Sequence, residues 1–173
     1  MVRSLLRFAI PPRRPATQPV PDLAIALVAA IILAGVLGVL PSVPLQVPLA
    51  MVALAVAGTA LLALKAPCLP EPGRLGPANR VTLARGVLAL PLAALVLAPG
   101  ALTGAVAWLP VVLAATVLVL DGLDGRVARR TGTSSAFGAR FDMELDALVL
   151  LALCGLVWAT DRAGAWVLML GLL

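Results

Sequence analysis

Four aspartates, Asp121, Asp124, Asp142 and Asp146, have the residue type and the spacing from which chemistry can be built. Asp121 and Asp124 are three apart, and Asp142 and Asp146 four apart, so on helices each pair shares a face. The stretch that contains them, DGLDGRVARRTGTSSAFGARFDMELD, holds five of the eight acidic residues and lies between two long apolar runs. Carboxylates at the ends of membrane helices are costly, and a cluster of them there marks a functional site. With a helical advance of about 100° per residue, Asp121, Asp124, Gly125 and Ala128 fall along one stripe. Two carboxylates beside two positions with almost no side chain offer ligands for a hard cation and room for a flat or bulky ligand. Glu144 lies about 200° around its helix from Asp142. In this reading it pairs with Arg140 one turn earlier and stays out of the site.

The turn Gly132 to Ser135 is short enough to make the two acidic helices antiparallel neighbours, so the four carboxylates can converge in one cleft. Without counter-charge they would repel, and several would take up protons. One or two divalent cations resolve this. The chain has no histidine, and Cys68 and Cys154 lie far apart without ligand spacing. The ligands are therefore oxygens, and the ions Mg²⁺ or Mn²⁺, with Ca²⁺ less suited. The DxxDG spacing lacks the alternating ligands of an EF-hand. Carboxylate-bound Mg²⁺ completes its shell with phosphate oxygens, which points to a phosphate-containing substrate. Arg129 would add a positive charge for a pyrophosphate.

The elements that must position these groups are membrane helices. The chain has 173 residues, 62% of them hydrophobic and only 12% charged, and its mean hydropathy is +1.09. A soluble domain needs a far more polar surface, so the fold class is all-α, a polytopic membrane helix bundle. The net charge of +5 belongs to basic cytoplasmic loops rather than to nucleic-acid binding. Residues 1–21 read as a basic cytoplasmic tail, 22–65 as two transmembrane helices, and 66–80 as a Pro/Gly-rich cytoplasmic linker. Later helices are expected over Val81–Ala98, interrupted by Pro91, over Leu102–Leu120 continuing through Asp121, and from Ser135 to Ala159. Asp161-Arg162 makes a turn. The last run, Ala163 to Leu173, has eleven residues where a span needs about twenty. The pattern therefore gives about five complete transmembrane helices and a truncated sixth, with further helices missing.

Alternating the helices across the bilayer from a cytoplasmic N-terminus puts twelve of the thirteen basic residues on or near the cytoplasmic side, with Arg162 the exception. The acidic stretch then faces the cytoplasm. Arg85, one turn inside its helix, is expected to snorkel to the interface.

The run Asp121-x-x-Asp124-Gly125-x-x-Ala128-Arg129, then Gly138-x-x-x-Asp142-x-x-x-Asp146, resembles the signature of the CDP-alcohol phosphotransferase (CDP-alcohol phosphatidyltransferase) family at every position. Pro77-x-Asn79-x-x-Thr82-x-x-Arg85 resembles the stretch that opens the first core helix of such proteins. The resemblance covers residues 76–173 and leaves the first two helices outside. It implies a core of six transmembrane helices, often dimeric, in the cell membrane of a bacterial type, with a cytoplasmic site. It also implies transfer of a substituted phosphate, phosphatidyl from CDP-diacylglycerol above all, to a hydroxyl acceptor with release of CMP in phospholipid biosynthesis. Asp121, Asp124, Asp142 and Asp146 would then bind two Mg²⁺ or Mn²⁺ ions, and Asp146 would also be the base. Asn79, Arg80, Val81, Thr82, Gly125, Ala128, Arg129, Ser135 and Gly138 would contact the CDP portion.

Arg126, Arg130 and Arg140 either serve topology and anionic lipids or form a pocket for a phosphorylated acceptor. Against the family, the final run would be its fourth core helix barely begun, so residues 1–173 alone are expected to release no CMP. The competing class is a divalent-cation carrier or a pseudoenzyme that keeps the cluster without the chemistry.

Overall fold

The computed structural model describes residues 21–65, 75–131 and 136–172, and within these only the backbone at 124, 125 and 127–131. The tail arginines Arg3, Arg7, Arg13 and Arg14, the linker residues Cys68 and Arg74, and Ser135 lie outside the described residues. The chain runs α1 (Pro21–Gly38), α2 (Gln46–Leu64), α3 (Pro77–Leu95), two 3-10 turns (Pro99–Ala101 and Gly104–Trp108), α4 (Leu109–Thr131), α5 (Ala136–Ala159) and α6 (Val167–Leu172). The described residues contain no strand, and the all-α membrane fold expected from composition is the one found.

Among the described residues, three segments are long and apolar enough to cross a membrane: Pro21–Gly38, Gln46–Leu64 and Gly104–Leu123. The sequence reading also counted α3 and α5 as spans. They have the length, 19 and 24 residues, but carry Arg80, Arg85, Asp142, Glu144 and Asp146 within them. Of the expected sixth run, six residues are helical.

Two helices start well away from the expected position, each for a local reason. The third helix begins at Pro77 rather than Val81, with Gly76 extended before it and proline in its first turn. Proline suits that position because its missing N–H is one the helix could not use. Asn79 and Arg80 are therefore helical, not linker. The fourth helix begins at Leu109 rather than Leu102, after the Gly104–Trp108 3-10 turn in which Gly104 has φ 53°. Pro91 stays inside α3, fully buried.

α3 is the central element and packs against α1, α2, α4 and α5. One apolar cluster joins Leu37 of α1, Met51 of α2, Leu92 and Leu95 of α3, Leu113 of α4 and Leu156 of α5. A second, at the other end of α3, joins Leu23 and Ala26 of α1 to Leu75 and Leu83. Ile25, Val28 and Ile32 of α1, Leu61 of α2 and Leu118 of α4 point outward, where lipid rather than water is the neighbour a membrane chain provides.

α5 ends in the expected turn. Asp161 takes a left-handed φ of 54°, and Arg162 N–H donates to Val157 O at 3.1 Å, closing the helix with the 6→1 bond of a Schellman motif. The chain then returns so closely that a Cβ at Gly171 would lie 2.9 Å from Leu151 Cα. A backbone atom cannot step aside as a side chain can. Gly171→Ala should therefore part α6 from α5 and destabilise the fold by about 1–3 kcal/mol, read as a lower melting temperature in detergent.

Candidate functional site

The site forms where the Arg85 end of α3 meets α4 and α5. Each of Asp121, Asp142 and Asp146 offers a carboxylate oxygen within 4.8 Å of the others. Asp121 comes from α4; the other two lie one turn apart on α5, so helical phase aims both at the same neighbour. The side chain of Asp124 lies outside the described residues, as do those of Gly125, Ala128, Arg129 and Arg130, although α4 continues through all five.

Arg85 of α3 holds the three carboxylates. Its Nη1 donates to Asp121 Oδ1 at 2.9 Å and to Asp142 Oδ1 at 2.7 Å, and its Nη2 to Asp146 Oδ1. Its side chain is 1% exposed. Arg85 does not snorkel; it is the buried counter-charge of the cluster. A buried guanidinium is stable only when paired, and its planar fork can bridge acids from two helices where an ammonium could not. This residue was the one the sequence reading missed. The signal lay in the spacing, because Asn79, Thr82 and Arg85 recur every three residues on one side of α3. Asn79 and Thr82 are likewise buried, and the Thr82 hydroxyl donates to Ala78 O at 3.2 Å.

The remaining expected positions divide. Val81 is half-buried and Gly138 lies on α5 one turn before Asp142. Arg80 faces away from the aspartates, toward α1, where its Nε donates to Asp22 Oδ1 at 3.0 Å. Arg126 and Arg140 are exposed. Glu144 keeps out of the carboxylate group, but its partner is Lys65 of α2 at 3.1 Å rather than Arg140. The helical phase of Glu144 turns it toward the hairpin, which local spacing along α5 does not reveal.

Three oxygen donors converging without nitrogen or sulfur could hold a hard divalent cation. With Arg85 included, the four charged side chains sum to −2 (three aspartates and one arginine), a charge that one divalent ion balances. Such a group can bind the phosphates of a substrate through the ion and take a proton at a carboxylate oxygen.

Comparison with known proteins gives one match. Residues 75–173 fit the family model described as CDP-alcohol phosphatidyltransferase. No curated protein and no solved structure matches the chain. The matched segment begins at Leu75, two residues before α3, and contains α3, α4, α5 and α6; α1 and α2 precede it.

Proposed function

The chain belongs to the CDP-alcohol phosphatidyltransferase family, and from that premise we propose that it transfers phosphatidyl from CDP-diacylglycerol to a hydroxyl acceptor and releases CMP, as a step of phospholipid synthesis. Family membership carries the transfer of a phosphatidyl group from a CDP-alcohol; the donor lipid and the pathway are the proposal. The observation that supports it best is the meeting of Asp121, Asp142 and Asp146 within 4.8 Å.

Asp121, Asp124, Asp142 and Asp146 would hold two Mg²⁺ or Mn²⁺ ions, which supply charge neutralisation to the pyrophosphate of the donor. The protein's own groups do the rest. Asp146 is the most exposed of the three acids, 50% against 38% for the other two, and can meet an incoming hydroxyl. Its carboxylate takes the hydroxyl proton as the oxygen attacks the phosphorus that bears the lipid. The bond from that phosphorus to the bridging oxygen breaks, and CMP leaves with that oxygen. Arg85 keeps Asp142 and Asp146 in register during this exchange. Asn79 and Thr82, on the Arg85 side of α3, and Arg129 on α4 are assigned to the CDP portion. Arg126, Arg130 and Arg140 are assigned to a phosphorylated acceptor, and the site is assigned to the cytoplasmic side by the distribution of basic residues.

The test uses the chain in lipid nanodiscs with Mn²⁺. It should bind CMP in preference to AMP and lose that binding to EDTA; CMP release from CDP-diacylglycerol, measured against a panel of acceptors, decides between this reading and the inactivity expected above of residues 1–173 alone. Mn²⁺ binding without any preference for cytidine would overturn the transferase reading in favour of a plain cation-binding protein.

A further inference from the structure

We propose that the α1–α2 hairpin, which lies outside the family match, is a positioning element for the nucleotide end of the site, acting through Asp22. The proposal rests on the transferase reading above. Asp22 opens α1, and its side chain is only 10% exposed. One oxygen accepts from Arg80 Nε at 3.0 Å and the other from Leu75 N–H at 3.4 Å. A single carboxylate thus grips the backbone just before α3 and a side chain one turn inside it. Those two points bracket Asn79, and together they fix the rotational phase with which α3 begins.

That phase matters because Thr82 lies about 60° around α3 from Arg85 and Asn79 about a further 60° on, both of them buried. Turning the first turn of α3 would move both relative to the aspartates while leaving the deeper part of the helix packed.

The layer beneath Asp22 supports the same restraint. Leu23 and Ala26 of α1 bury against Leu75 and Leu83, and Leu62 of α2 with Phe137 and Phe141 of α5 pack around them. The hairpin therefore reaches α3 and α5, two of the three helices that form the site. Its other ionic contact with this end, Lys65 to Glu144, has side chains 51% and 59% exposed, and exposed pairs contribute little. In the Asp22 contact Arg80 is 55% exposed, but the carboxylate is 10% exposed and also accepts from the Leu75 backbone N–H, so it is the contact that can transmit position.

The experiment measures CMP affinity with saturating Mn²⁺, Mn²⁺ affinity, and melting temperature on the full chain in nanodiscs. Asp22→Ala should weaken CMP binding about ten-fold and leave Mn²⁺ affinity at the wild-type value, since Asp22 contacts none of the three clustered aspartates. Asp22→Glu keeps the charge and should recover most of the loss. Lys65→Met should leave CMP affinity unchanged. Ala26→Leu, which overpacks the same layer without altering charge, should weaken CMP binding as Asp22→Ala does, and it serves where Asp22→Ala is not recovered folded. Variants at Asp22 and Ala26 that melt earlier yet bind CMP as wild type does would make the hairpin merely structural and overturn the proposal. A wild-type chain that binds Mn²⁺ but no CMP overturns the transferase reading and this proposal with it.

Discussion

Replacing Arg85 by methionine is expected to destabilise the protein by about 1–3 kcal/mol, the range for losing charge-assisted hydrogen bonds, because the carboxylates left behind keep water and the larger penalty for stranding a buried charge does not apply. The side chain is 1% exposed and serves three carboxylates from two helices that are themselves 38–50% exposed, so its loss leaves like charges facing one another across solvent. Methionine retains much of the volume, which keeps a cavity from dominating the result. Arg85→Lys should fall between the two, because one ammonium cannot reproduce the fork that bridges Asp121 and Asp142 while also meeting Asp146.

The cause can be separated from general loss of packing by adding Mg²⁺. An ion that binds only the folded state raises stability by RT ln(1 + L/Kd), where L is the free ion concentration. In wild type the guanidinium already offsets part of the carboxylate repulsion; in Arg85→Met a divalent ion must offset all of it. The rise in melting temperature on adding Mg²⁺ should therefore be larger in the variant than in wild type, although the variant starts lower. Equal rises in both would mean that Arg85 contributes packing rather than charge, and would sink the account of it as the counter-charge of the cluster.

Arg85 also marks where the sequence stopped being informative. Helical periodicity relates residues on one helix, so it pairs Asp142 with Asp146 and turns Glu144 away from both. It says nothing about which third helix faces them. An arginine near the end of an apolar run has a cheap default, to reach back toward the interface, and only the packing of α3 between α4 and α5 removes that option. The same limit applies to Asp22 and Lys65. Each looks like an ordinary helix-end charge, and their partners Arg80 and Glu144 lie 58 and 79 residues away in sequence (80 − 22 and 144 − 65).

The starts of α3 and α4 carry local signals in the sequence. Gly76-Pro77 is a helix-opening signal of the expected kind, and Pro110 in the first turn of α4 is another. Both were outweighed by hydropathy, which begins a helix where the apolar run begins. Hydropathy was nevertheless the right guide to fold class, since outward-facing isoleucine, valine and leucine are what a lipid-facing surface requires. It was a poorer guide to span number, because the helices that carry the site's charges are the ones whose apolar character is diluted.

Asp146→Asn is expected to reduce CMP release by about 10²–10⁴-fold, the range for removing a general base. Its side chain is half exposed, so the lost ion pair with Arg85 is screened and the stability change should be modest. Asparagine keeps the shape and can still accept a hydrogen bond from Arg85, but it cannot take up a proton from the acceptor hydroxyl. The loss should therefore fall on kcat, with affinity for CDP-diacylglycerol largely retained. Asp142→Asn makes the useful comparison. Asp142 meets the same guanidinium at 2.7 Å and is assigned to the ions but not to the proton transfer, so both replacements should lower Mn²⁺ affinity, while at saturating Mn²⁺ only Asp146→Asn should keep its full loss in kcat. If Asp146→Asn kept turnover within about ten-fold of wild type, a loss smaller than a general base normally accounts for, the proton would have to go elsewhere. Asp146 would then be a ligand only, and the base would have to be sought among the other acids on α4 and α5.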